Sequence, residues 1–431
     1  MSDLIAGYGE SVITPPMGVE LCGYGFYRER RAETVLDDLK ARAVCVSGGG
    51  TLLILIACDL IGFDVATADA IRKAIAAEHH VPIANVLLAC THTHSGPASE
   101  FVRGCGEIAP EYVRRLPELI AAAARRAALD RGPCAMRTGS EQAEPIGFNR
   151  RFRSFNPIDP TLSAIIFERK DFPICLSACS CHAVTLGPSA VVSADWPGAV
   201  VKAMERDGYR CVCFQGFCGD IDPICYMHKW GSGTSADLDL YGLTLKQHLL
   251  NIARNGQSVK LTALAAVEKR ISLPLEVPPD KTTIDSEYRA ILARENNAAF
   301  KKFADEWHKA ADREFDGLCR YPYLDNIPIQ AMRLNGMNLI ALPAEVFCEY
   351  GLKLRPQLFT PPKSASDGRR LDSPLLTIGY ANGNTGYWPA KTAYADQADY
   401  AAYLAPKIYA LFPFAASLED TILNVCRKIM K

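Results

Sequence analysis

The stretch ANVLLACTHTHSGP (84–97) runs an unbroken apolar segment into two histidines, His92 and His94, one residue apart. A short apolar run without polar alternation reads as a strand buried on both faces. Working outward, three further segments have the same form: TLLILIACDL (51–60), ICLSACSCHAV (174–184) and RCVCFQGFCGD (210–220). Helical patterns accompany them at about 65–79, 110–129 and 196–208. Strands alternating with helices predict an α/β chain: a large mixed β-sheet core, partly parallel, flanked by helices. Each apolar run also ends on polar chemistry: Asp59, then His92 with His94, then His182, then Asp220. Open α/β sheets bind ligands beyond the carboxyl ends of their strands, so four such ends in a row predict one site.

The remainder is organised around that core. The segment at about 280–317 is rich in helix formers and charge and reads as an inserted arm of one or two exposed helices. IQAMRLNGMNLIALPAEVF (329–347) reads as a hairpin about Asn335-Gly336. PLLTIGYANGNTGYWP (374–389) reads as a strand entering a Gly/Asn-rich loop. With no internal repeat and no Pro/Gly-rich linker, 1–431 is expected to be a single domain.

Composition narrows the function. Lys+Arg total 47 and Asp+Glu 48, a net charge of -1. Nucleic-acid recognition needs a basic surplus that this balance does not supply. No apolar run is long enough to span a membrane. The opening MSDLIAGYGESV lacks the charged and long apolar regions of a secretory signal, so a cytoplasmic location is expected. Several of the 16 cysteines, such as Cys58, Cys90, Cys211 and Cys213, lie inside apolar runs. They are expected to be free thiols acting as small buried hydrophobes. The one-residue spacings of Cys179-Ser-Cys181 and Cys211-Val-Cys213 do not match a zinc knuckle.

Among the 8 histidines, His79, His80, His248 and His308 lie in helical, charged settings that suit solvated surface. His92 and His94 differ. Residues i and i+2 of an extended segment project to one side, and paired imidazoles suit zinc or another borderline metal once further ligands join them. Taken singly, His182 reads equally well as a packed core histidine. Asp195 in SADWPG reads as a helix start, and Asp220 and Asp222 in GDIDP as a turn.

In combination these pieces resemble the neutral/alkaline ceramidase family of zinc-dependent amidases. The matching motifs are GYGESVITPPMGVELCGYG (7–25), ACTHTHSGP (89–97), FNRRF (148–152), CHAVTLGPSAVVSADWPG (181–198), FQGFCGDIDP (214–223), LIALPAEVF (339–347) and GYANGNTGYWPAKTAY (379–394). They occur in the family's order over almost the whole chain. The resemblance implies a neutral-ceramidase-like catalytic domain with one Zn²⁺ at the mouth of a pocket. Its ligands would be His92, His182, Glu345 and Tyr387, with Tyr380 and Tyr394 as neighbouring alternatives to the last. His94 falls where the family contacts substrate, and Arg150 falls in the pocket-lining Asn-Arg element. Asp222 occupies the position of the family's catalytic serine. The expected site is therefore Asp222, His94 and Asp220 as catalytic groups, and Arg150, Asn149, Asp195 and Tyr394 as substrate contacts.

The family's secreted members carry a further C-terminal immunoglobulin-like domain, which this chain is expected to lack. These departures predict a hydrolase acting on an amide or ester of a small polar molecule rather than long-chain ceramide. The alternative is a metal-dependent lyase or isomerase on a polyol or sugar-like molecule, with Asp222 as base.

Overall fold

The computed structural model describes residues 4–259, 263–294, 297–334, 337–355, 375–409 and 412–430. Three sheets form its centre. The first has strands Val86–Cys90, Thr51–Cys58, Lys40–Gly48, Ile5–Val12 and Gly132–Pro133 in that spatial order. Only its first two strands are parallel to each other. The second sheet runs Arg210–Gln215, Ile174–Cys179, Thr161–Glu168, Ala135–Gln142 and Gln257–Val259. Again the first pair is parallel and the others are antiparallel. The third has Leu264–Pro274, Tyr323–Leu334, Met337–Ala341 and Leu375–Ile378, closing with a parallel pair. The α/β class and the mixed sheets match the expectation.

The unbroken apolar runs have a simple cause. Side chains alternate across a strand, and these strands are covered on both faces. Leu53, Leu55 and Ala57 enter a core shared by all three sheets, with Val44, Leu176, Val212, Leu339 and Ile378. Ile54, Ile56 and Cys58 enter a second layer against Ile75, Ile120, Val200 and Leu249 of the flanking helices. Those helices start where local chemistry allows. Asp64 caps Val65–Glu78 through the Thr67 amide, and Thr234 with Asp237 makes a capping box for Ser235–Asn255.

The arm comprises helices Lys281–Arg294 and Ala298–Arg320. It is not simply exposed. Phe300, Phe303, Trp307, Ala311 and Phe315 recur at helical spacing and pack with Ile61, Val102 and Phe412. The abundance of charge obscured that stripe. Strands Tyr323–Leu334 and Met337–Ala341 pair antiparallel as a hairpin, while Asn335 and Gly336 lie outside the described residues. All 16 cysteines are free, and all but Cys134, Cys225 and Cys319 are buried. No helix among the described residues is long and apolar enough to cross a membrane.

Candidate metal and catalytic site

Strand ends deliver the site. Beyond Val86–Cys90 the chain turns as the Thr91 and His92 amides donate to Cys58 O and Leu60 O, both at 2.9 Å. His92 adopts the left-handed region (φ 59°), a strained backbone kept where surroundings over-determine it. His182 follows Ile174–Cys179 and is tied through its amide to Ile221 O at 2.9 Å. Glu345 opens the short strand Glu345–Val346, paired parallel with Tyr387–Trp388 so that Glu345 lies opposite Tyr387. Two glycines permit the close approach. A Cβ on Gly23 (φ 105°) would stand 2.2 Å from His94 Nδ1, and one on Gly219 would stand 2.4 Å from Glu345 O.

One ring nitrogen from each of His92, His94 and His182 lies within 4.8 Å of the others, a group that could hold a metal ion. Centroids of the His92 and His182 rings are 5.2 Å apart. Glu345 Oε2 stands 3.0 Å from His182 Nε2 and 3.3 Å from His92 Nε2. His94 Nε2 is 3.1 Å from His92 Nε2.

The donor chemistry fits a cation. His92 Nδ1 and His182 Nδ1 each face a backbone carbonyl, Ile61 O and Cys218 O, both at 2.7 Å. A carbonyl only accepts, so Nδ1 carries a proton and Nε2 is the nitrogen that presents a lone pair inward when the ring is neutral. Lone pairs and a carboxylate directed at one point repel unless positive charge lies between them. Three imidazoles and one carboxylate are a borderline-metal donor set.

Burial lowers the proton affinity of His92, and it does so strongly for His94 together with its two neighbouring imidazoles. At Glu345 burial favours the neutral acid, but His92 and His182 outweigh it and hold the carboxyl well below the usual range. His182 is pushed up to about 10, because Cys218 and Glu345 outweigh its burial. A cation would have to displace that proton.

His94 and His182 open onto a cavity of about 990 Å³ that Arg150, Asp222 and Tyr387 also line. Arg150 ties this wall together. It donates to Asp222 Oδ1 (3.2 Å), Tyr387 Oη (2.9 Å) and Gly219 O (2.7 Å). Tyr387 is thus engaged by Arg150, with its ring centroid 6.5 Å from that of His182.

Other expected residues fall elsewhere. Asp220 is fully buried, accepting from the Cys348 amide (2.8 Å) and from Asn149 Nδ2 (2.7 Å). Asn149 is equally buried, and neither lines the cavity. Asp195 (φ 54°) accepts from Thr185 Oγ1 and the Trp196 amide, and it borders a separate groove of about 320 Å³. Tyr394 packs edge-on to Tyr403 at 6.2 Å, and its hydroxyl is buried with no hydrogen-bond partner among the described residues. Period and turn chemistry put these polar residues near strand ends, but the ends also need internal hydrogen bonds, and Asp220 and Asp195 supply them.

Two further tyrosines meet Glu345: Tyr409, for which no role is expected, and Tyr380, expected only as an alternative to Tyr387. Tyr409 donates to Glu345 Oε1 at 2.7 Å. Tyr380 stacks on His92 at 4.0 Å, with its hydroxyl 3.4 Å from Glu345 Oε2. Tyr409 sits in an apolar helical context with no motif around it. Tyr380 is one of the two alternatives to Tyr387 that the motif offers, and it is the one that reaches Glu345.

No family model matches the sequence, and no curated protein sequence matches it. Similarity to solved structures is clear. The chain superposes on neutral ceramidase from Pseudomonas aeruginosa with a TM-score of 0.73 at 18% identity, over 100% of this chain and 74% of that one. It matches a ceramidase complexed with C2 with a TM-score of 0.73 at 17% identity, over 100% of this chain and 75% of that one. The fold is therefore neutral-ceramidase-like.

Proposed function

We propose that this chain is a zinc-dependent hydrolase that cleaves an amide or ester of a small polar molecule rather than long-chain ceramide. One observation carries the reading: His92, His94, His182 and Glu345 converge, and His94 and His182 of this group line a cavity of about 990 Å³. The ceramidase-like fold supports the same reaction class. When bound, a divalent cation supplies Lewis acidity and lowers the pKa of water.

The chain's own groups supply the rest. His92 and His182 are oriented by the carbonyls at their Nδ1 atoms. Tyr409 and Tyr380 fix the Glu345 carboxylate. Asp222 is the better placed proton acceptor. Its Oδ1 is held by Arg150, whereas Oδ2 makes no hydrogen bond among the described residues. His94 instead directs Nε2 at His92 and buries Nδ1 against Gly23. Asp222 Oδ2 takes a proton from the attacking water and returns it to the leaving nitrogen or oxygen.

A carboxylate in place of the family's serine hydroxyl favours a second reading, a lyase or isomerase in which Asp222 removes a carbon-bound proton. The test is metal analysis of the purified protein, followed by assays on amides, esters, polyols and short- and long-chain ceramides before and after chelation. Hydrolysis lost on chelation and restored by zinc is expected. Full activity in metal-free protein would reject the metal, and efficient long-chain ceramide turnover would reject the small substrate. Solvent deuterium incorporated into unhydrolysed substrate would favour the second reading.

A further inference from the structure

Among the cavity wall's charged groups without an ion-pair partner among the described residues, two guanidinium groups outnumber one carboxylate, Asp396, which accepts from the Ala398 amide at 2.9 Å. The wall includes the guanidinium groups of Arg28, Arg150, Arg151 and Arg153. Arg150 is paired with Asp222 at 3.2 Å and Arg151 with Asp399 at 2.8 Å. The other two have no carboxylate partner among the described residues. Arg28 is held through Nε to Gly25 O at 3.0 Å, and Arg153 through Nη2 to Met227 O. Both side chains are exposed, so they can reach a ligand at the mouth. Arg151 Nη1 is buried with no hydrogen-bond partner among the described residues, a further cost that a bound acceptor would remove.

These groups gather around an aromatic surface. Trp230 also lines the cavity, is 53% exposed, and meets Tyr24 edge-on at 5.5 Å. Arg28 stands 6.0 Å from the Trp230 ring centroid, and the Met227 carbonyl that holds Arg153 is three residues before Trp230. Phe152, between Arg151 and Arg153, is 51% exposed on the same wall. A large exposed indole at a cavity rim with guanidinium groups beside it offers a flat apolar face next to an anion site. A long alkyl chain would leave the guanidinium groups without acceptors, whereas a carboxylate or phosphate matches their fork of donors.

We propose that the cavity selects substrates carrying an anionic carboxylate or phosphate group, held at the mouth by Arg28 and Arg153 with an apolar body against Trp230. This rests on the hydrolase reading for its consequence in turnover, but not for its consequence in binding. Arg28 and Arg153 are specificity residues; they are remote from the bond-breaking groups in role, because neither contacts His92, His182 or Glu345.

The experiment compares N-acetylphenylalanine, its carboxamide and an N-acyl ethanolamine phosphate on the zinc-loaded protein. Stopped-flow tryptophan fluorescence reads binding before turnover, and product release reads hydrolysis. The wild-type protein should bind at least one anion about tenfold or more tighter than the uncharged carboxamide, a preference that shrinks with added salt. Which anion binds tighter identifies carboxylate or phosphate as the source. In the double variant Arg28→Gln/Arg153→Gln the preference should vanish while carboxamide binding stays the same. Arg114→Gln, which removes one charge from an exposed pair with Glu111, should change nothing. Equal binding of charged and uncharged probes, no binding of any probe, or a preference that survives the double variant would overturn the proposal. Anion-selective binding without hydrolysis leaves it standing and removes the hydrolase reading. Hydrolysis without charge selectivity does the reverse.

Discussion

His182 Nε2 stands 3.0 Å from Glu345 Oε2, although 163 residues separate them along the chain. Both side chains are 1% exposed, so each depends on the other and on its buried neighbours rather than on bulk water. His182→Ala and Glu345→Gln are each expected to abolish stoichiometric metal binding and to lower activity by more than about 100-fold, the upper range for losing even an indirect ligand partner. Elemental analysis and kcat/KM check this. Tyr409→Phe removes only the hydrogen bond to Glu345 Oε1 and is expected to cost about 10- to 100-fold in metal affinity.

Asp222 and Asp220 lie two residues apart but should behave as different kinds of residue. Asp222→Ser is expected to lower kcat about 100-fold or more with little change in melting temperature. Asp220→Ala removes the acceptor of the Cys348 amide and one of the two acceptors of Asn149 Nδ2, which keeps Pro157 O, in a buried interior. It is expected to cost about 2–4 kcal/mol of folding stability, read by denaturant titration. An unchanged kcat in Asp222→Ser would remove Asp222 from the mechanism.

Gly23→Ala tests how tightly the backbone is drawn against His94. The new Cβ would fall 2.2 Å from Nδ1, at a φ of 105° that alanine rarely adopts. Displacement of the imidazole is expected to reduce metal affinity at least about tenfold, together with a backbone cost of about 1–3 kcal/mol. Gly49→Ala is the control: its φ is 59° but nothing lies within 4 Å, so only the backbone cost should appear.

Glu100 gives the fold a pH dependence of its own. It is fully buried, its Oε1 accepts from Asn384 Nδ2 at 2.7 Å, and burial pushes its carboxyl up from 4.5 to about 8. The folded state therefore holds a proton that the unfolded state has released. Stability from this group is fully present below about pH 4.5 and is lost as pH rises towards 8. Glu100→Gln should flatten that decline and raise the melting temperature at pH 8 relative to the parent. A parallel decline in both proteins would show that Glu100 is ionised throughout.

Much of this molecule is local and therefore written along the chain. The run LLILIAC (52–58) is apolar at every position because strand Thr51–Cys58 is covered on both faces, so its strand character needs no tertiary information. The polar ends at His92 and His182 follow from the same pattern, and the motif order carried the ceramidase-like fold that superposition shows. Distances across the chain are another matter. Sequence spacing could not distinguish Asp222, which faces the cavity, from Asp220, which is consumed by backbone and Asn149 hydrogen bonds. It could not bring Tyr409 to Glu345, because no motif surrounds a tyrosine whose partner lies 64 residues away. Nor could it group Arg28 and Arg153 around Trp230, since three separate turns meet there. Periodicity fixes which face a side chain takes within its own element; only packing of the elements decides which faces meet and which polar groups are left for a ligand.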